Sequence, residues 1–203
     1  MAGNDGRQAL IDAAIGSIAE RGAARTQPKD LTQTLGLSKS LVNFHFDGRD
    51  GLLAEAIATA LERHVDELRT TVASAGATPM ARLLAWIDSF LIWTAANPGM
   101  AAAVTFPEWV AAVPVPLNGA TSRIAVANMA RLDLLCSLID EARGRDASGA
   151  ASDRLDPVSQ DGYPDICLWW LLDGAATAVA NNPDHLDGIR ATVRTRITSL
   201  LSA

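Results

Sequence analysis

The chain has 203 residues, 49% hydrophobic and 20% charged, which suffices for one good core or two small ones and excludes a disordered chain. The net charge of −6 excludes a protein that coats nucleic acid indiscriminately. No apolar run reaches the roughly 18 residues of a membrane span, and the opening residues lack the cationic start and apolar stretch of a signal peptide, so a cytoplasmic protein without membrane contact is expected.

Helical periodicity runs from end to end. Residues 7–22 place Leu10, Ala14, Ile15 and Ile18 on one stripe, and Gly22 supplies a stop. Thr26 is positioned to cap a short helix to about Leu35, with Pro28 in its first turn. Gly36 breaks that helix, and Ser38 is positioned to cap a second one over about 39–45. After a turn at "FDGRD", a longer helix runs from Arg49 to about Ala73, with Leu52, Leu53, Ala56, Ile57, Ala60, Leu61, Val65 and Leu68 in period. Thr78 and Pro79 start a helix to about Ala96, and Asn97–Pro98 and Asn182–Pro183 repeat the same start signal. Residues 114–119 read as a loop. A helix over about 119–143 follows, then a polar Gly/Ser/Asp-rich loop over 144–163 and two apolar helices over about 164–181 and 183–202. No segment alternates as a strand would and no internal repeat is visible, so the expected class is all-α with about nine helices.

The charge is uneven. Residues 1–63 carry seven Lys/Arg against eight Asp/Glu, and within 25–49 four basic groups face two acidic ones. Three helices in about 46 residues, the last two short and joined at a glycine, describe a helix-turn-helix. Leu31, Leu35, Leu37, Val42 and Phe46 would face the first helix. That leaves Ser38, Lys39, Ser40, Asn43 and Phe44 pointing outward, short polar groups suited to a major groove about 12 Å wide. Lys39 can reach phosphate or a guanine edge, and Asn43 can pair with adenine. Phe44 either touches the DNA or packs locally. His45 has no metal-ligand partner at helical spacing, which leaves a phosphate contact or a bond to nearby backbone.

These residues resemble the DNA-binding pattern of the TetR/AcrR transcriptional regulators. "DLTQTLGLSKSLVNFHFDGRDGLLAEAI" matches it at Leu31, Gly36, Leu37, Ser38, Phe46, Arg49, Leu52 and Leu53. It departs at Thr32 (usually alanine), Ser40 (commonly glycine), Asn43 (often tyrosine) and Arg49 (commonly lysine, with the charge kept). The resemblance implies a DNA-binding set of Thr26, Lys29, Ser38, Lys39, Ser40, Asn43, Phe44, His45 and Arg49, with Arg49 as a phosphate clamp. It implies a helix-turn-helix domain over 1–48, a connecting helix over 49–74 and a ligand-binding and dimerisation domain over 75–203. The expected protein is a ligand-responsive regulator, most simply a homodimeric repressor on a palindromic double-stranded operator, released by an apolar or amphipathic small molecule. The other reading is a small-molecule-binding helical protein whose helix-turn-helix does not read DNA specifically.

The C-terminal part holds no catalytic constellation. His45, His64 and His185 lie far apart and no Gly-rich phosphate loop is present, so no enzyme, cofactor or metal is expected. Cys136 and Cys167 sit in apolar stretches and read as small hydrophobes. All five tryptophans fall here, and Trp86, Phe90 and Trp93 share one helix face. Met100, Phe106, Trp109, Met129, Leu132 and Cys136 could line an apolar effector pocket with them, or form plain core. The last two helices would make a four-helix dimer interface with their copies. Trp169 and Trp170 cannot share a face, so one is expected in the pocket and the other in the interface.

Overall fold

A computed structural model describes residues 2–105, 119–145 and 163–201. Among these, all regular structure is helical: α1 (Ala2–Arg21), α2 (Pro28–Leu35), α3 (Ser40–Phe46), α4 (Arg49–Ser74), α5 (Pro79–Ala96), α6 (Pro98–Thr105), α7 (Gly119–Arg143), α8 (Tyr163–Asn181) and α9 (Leu186–Leu201), with single 3₁₀ turns at Ala23–Arg25 and Pro183–His185. The loop expected over 114–119 and the polar loop over 144–163 fall almost wholly outside the described residues, as do Phe106 and Trp109.

Local chemistry accounts for most of the boundaries. Thr78 Oγ1 accepts the Ala81 N–H at 3.2 Å, capping α5 as its sequence signals. Asn182 does otherwise. Its side-chain amide reaches back to the Ala178 carbonyl at 3.4 Å, so it closes α8 rather than capping the helix that follows. Ser38 lies two residues before α3, whose cap position is held by Lys39. Its hydroxyl accepts the Ser40 N–H at 3.3 Å and pairs with the Ser40 hydroxyl at 2.8 Å.

The chain divides into two compact units, residues 1–63 with 97–127, and residues 64–96 with 128–203. In the first unit Leu10, Ile11, Ala14 and Ile18 of α1 are buried with Leu31, Val42, Phe46, Leu52, Leu53 and Ile57. The α1 stripe thus takes in Ile11, and Ile15 is only half-buried. Residues 97–127 join this unit through two features. Gly99 lets α6 lie directly on α1, where a Cβ would sit 2.1 Å from the Ile18 carbonyl oxygen. Arg123 of α7 binds Glu55 at 3.0 Å and both oxygens of Glu62, while Arg7 of α1 binds Glu55 at 2.9 Å. The Arg123 hydrogen bond holds the Glu62 carboxyl below its usual range, opposed by partial burial.

The second unit packs α5, α8 and α9 on one another. Its core gathers Leu68, Leu83, Trp86, Ile87, Phe90, Leu91, Leu135, Leu138, Ile139, Leu168, Leu172, Val179, Val193 and Ile197. Asp88 of α5 holds α9 by accepting from Arg190 at 3.1 Å and from Arg194. The predicted period of α9 is kept inward at Val193 and Ile197, whereas Leu200 is exposed.

Candidate DNA-reading surface and sensor cluster

The turn between α2 and α3 is built on Gly36, whose φ of 65° is the left-handed conformation that glycine adopts without a Cβ penalty. The Leu37 N–H then returns to the Thr32 carbonyl at 2.9 Å, closing the end of α2. Val42 and Phe46 anchor α3 inward, while Ser38, Lys39, Ser40, Asn43 and Phe44 are exposed, Phe44 at 81%. Lys29, in the first turn of α2, is exposed too. This matches the outward face expected from the helical spacing.

Three candidates are placed differently. Thr26 is fully buried. Its hydroxyl lies 2.9 Å from that of Ser17 and donates to the Gly22 carbonyl at 3.1 Å, so it ties the exit of α1 instead of facing outward. It does not cap α2 either, since Gln27 occupies that position without a side-chain cap. Arg49 is committed to backbone: Nε donates to the Thr26 carbonyl at 3.1 Å and Nη2 to the Ala23 carbonyl at 2.7 Å. Its remaining terminal nitrogen meets Asp50 at 3.2 Å. In this structure Arg49 braces the start of α4 against the 3₁₀ turn, because carbonyls left over at that turn's end need donors. His45 is half-buried, in edge contact with Phe44 at 4.9 Å and Phe46 at 6.0 Å, and its Nε2 is buried without a hydrogen-bond partner among the described residues.

The corner into α4 is tight. Asp47 takes a φ of 57° and Gly48 one of 106°, and a Cβ on Gly51 would sit 1.7 Å from the Phe46 carbonyl oxygen. The end of α3 is thus seated directly against the first turn of α4.

In the second unit the predicted aromatic face is real and gathers polar groups as well. Trp86 and Phe90 are buried, their rings stacked 5.3 Å apart. Trp93 is half-buried and stacks on His64 of α4 at 4.3 Å. Arg131 of α7 sets its guanidinium 5.3 Å from the centre of the Phe90 ring. Burial, and secondarily the Arg131 charge, push His64 down to about 3, so it is neutral at physiological pH. Burial also pulls Arg131 down to about 10, opposed by the charge of Asp173. Sequence reading missed both groups. Their signal was their spacing: His64 continues the apolar row of Leu61, Val65 and Leu68, and Arg131 stands four residues before Leu135.

The other pocket candidates disperse. Cys136 is buried and Leu132 half-buried on α7, but Met129 is exposed at 38% and Met100 belongs to the first unit. Trp169 packs against the core, whereas Trp170 is 56% exposed and borders an open groove of about 600 Å³ with Leu171, Gly174, His185, Gly188 and Ile189. Among the described residues no cluster of three or more metal-ligating side chains is present, and no helix is long and apolar enough to cross a membrane.

The sequence profile of the bacterial regulatory proteins of the tetR family matches residues 10–56. No curated protein matches the chain. Among solved structures, FadR from Bacillus subtilis in complex with stearoyl-CoA is 14% identical, with a TM-score of 0.64 over 93% of this chain and 95% of its own. A transcriptional regulator of the TetR/AcrR family from Thermobifida fusca is 14% identical, with a TM-score of 0.63 over 97% of each chain. The fatty acid degradation regulator FadR from Bacillus halodurans is 16% identical, with a TM-score of 0.61 over 92% of this chain and 97% of its own. At these identities the likeness is one of fold.

Proposed function

We propose, from the premise that this chain belongs to the TetR family of bacterial regulatory proteins, that it is a homodimeric repressor which binds a palindromic operator and is released by an apolar or amphipathic small molecule. The exposed face of α3, with Lys39, Ser40, Asn43 and Phe44 outward on a helix anchored by Val42 and Phe46, carries the reading. In a dimer the two α3 helices must stand about 34 Å apart to enter successive major grooves. The exposed Trp170 and Leu200 and the groove along α8 and α9 support a dimer through those helices. A chromosomal operator places the protein in the cytoplasm. The aromatic face of α5 supports an apolar effector, and the stearoyl-CoA held by the Bacillus subtilis FadR is a parallel in another protein. To move the dimer from mostly bound to mostly free, the effector needs a differential affinity of about 5.5 kcal/mol.

The second reading, a ligand-binding protein that reads no specific sequence, draws on the exposed Asp47 and Asp50 and on an Arg49 already spent on backbone. Fluorescence anisotropy with the protein's own promoter fragment separates the two. Specific binding that weakens steeply with salt is expected, with Lys39→Ala and Asn43→Ala each costing about 1–3 kcal/mol where they meet base edges. Equal affinity for scrambled DNA, or unchanged affinity in both variants, refutes the repressor reading.

A further inference from the structure

The polar groups around Phe90 make ring contacts, but several of their buried nitrogens have no hydrogen-bond partner among the described residues. His64 is 1% exposed, and neither of its ring nitrogens has a hydrogen-bond partner among the described residues. Trp86 is 0% exposed and Arg131 7%, and the same holds for Trp86 Nε1 and Arg131 Nε. All three rings or planes lie close to one aromatic: Trp86 at 5.3 Å from Phe90, Arg131 at 5.3 Å and His64 at 6.5 Å. Buried polar groups of folded proteins are paired with few exceptions, and each exception calls for a reason.

The inventory of these groups is lopsided. The indole N–H and the guanidinium N–H only donate, and neutral His64 donates once and accepts once. Asn128, three residues before Arg131 and hence on the same side of α7, adds a buried Oδ1 without a partner among the described residues. Donors exceed acceptors, and one donor carries a full charge. Asp173 acts on Arg131 through its charge without a hydrogen bond. A buried cation with so little direct pairing is costly, by several kcal/mol in general. The chemistry that answers it is an anion that only accepts, on a body that suits aromatic walls. A carboxylate does this, taking paired bonds from a guanidinium fork.

We infer that Arg131, with His64 and Trp86 beside it, binds the carboxylate of a hydrophobic organic acid whose body lies against Phe90 and Trp93. This assignment rests on the reading of the second unit as the effector sensor and narrows it: the effector is an anion, and Arg131 selects it by charge. A merely apolar ligand would leave Arg131 Nε as unpaired as before, and an inorganic anion would leave the aromatic walls without a partner.

Isothermal titration calorimetry on the full-length protein tests it with decanoate and 1-naphthoate, each against its neutral amide, and with sodium sulfate alone. The acids should bind at least tenfold more tightly than their amides, and sulfate should not bind measurably. Arg131→Gln should erase the preference, and Arg131→Lys should keep part of it. Equal affinity for acid and amide, no binding of either acid, sulfate binding as tightly as the acids, or a full preference in folded Arg131→Gln each overturns the proposal. If Arg131→Gln fails to fold by circular dichroism, the wild-type comparison and Arg131→Lys decide alone. Operator anisotropy keeps the two readings apart. Acids that bind without releasing DNA sink the repressor reading and leave the anion site standing, whereas release by neutral amides but not by acids does the reverse.

Discussion

His64 gives the second unit a pH dependence whose size follows from its burial. The imidazole titrates near 6.5 when unfolded and at about 3 in the fold, so between those values the unfolded chain binds more protons. Stability therefore rises with pH across that window: it is fully present above about 6.5 and is lost as pH falls toward 3. At pH 5 the unfolded histidine is almost wholly protonated while the folded one is still neutral. The loss relative to pH 8 is about 1.5 pKa units, or about 2 kcal/mol. Arg131 is the charged group that acts on His64, and its repulsion deepens the loss. Glu62 adds little at pH 5, because its lowered carboxyl falls off only below the ordinary carboxylate range. Urea unfolding at fixed protein concentration, run at pH 8 and pH 5 on wild type and His64→Gln, isolates the effect. The wild type should lose about 2 kcal/mol more than the variant over this interval. If both lose the same amount, His64 is not held neutral and the cluster is not sealed as described.

Two glycines should respond to alanine with opposite signs in thermal unfolding. Gly16 of α1 has nothing within 4 Å of the added Cβ, so Gly16→Ala should stabilise by about 0.5–1 kcal/mol through helix propensity. Gly99→Ala drives a Cβ to 2.1 Å from the Ile18 carbonyl oxygen, which cannot rotate away, and should cost about 1–3 kcal/mol. Thr26→Val keeps the shape but strands the buried Ser17 hydroxyl, and calorimetry should show a loss of about 1–3 kcal/mol. Arg49→Gln should lower the melting temperature, because it releases the Thr26 and Ala23 carbonyls; a change confined to DNA affinity would return Arg49 to the role of phosphate clamp.

What could be read from sequence was whatever depends on neighbours along the chain. The eight apolar positions expected on α4 are all buried, and the Thr78–Pro79 start of α5 holds to the residue. The outward face of α3 follows from the same periodicity. Misplaced residues answer to partners far away in sequence. Thr26 looks like a cap until Ser17 claims its hydroxyl, and Arg49 looks like a free cation until carbonyls 23 and 26 residues earlier take its donors. The grouping of 97–127 with the N-terminal part turns on Gly99, whose missing side chain leaves no hydropathy signal, and on Arg123, which pairs 61 and 68 residues away. His64 was set aside and Arg131 passed over because polar residues in a helix default to the surface.

The cluster around Phe90 also separates stability from function. A core built for stability alone would place leucine or methionine at 64 and 131, since replacing buried charges by apolar groups of similar volume is often neutral or stabilising. Arg131 instead sits buried beside a histidine that burial keeps neutral, within reach of aromatic rings that could have packed on carbon. Each of these choices works against the fold by itself. They become consistent when the cluster is completed from outside by an acceptor, for then the desolvation already spent on Arg131 strengthens the bond it makes. A ligand that relieves such a cluster binds the state that holds it better than any other state, and that difference is what a switch requires. α4 carries His64 and also carries, fifteen residues earlier, the Arg49 that braces its first turn.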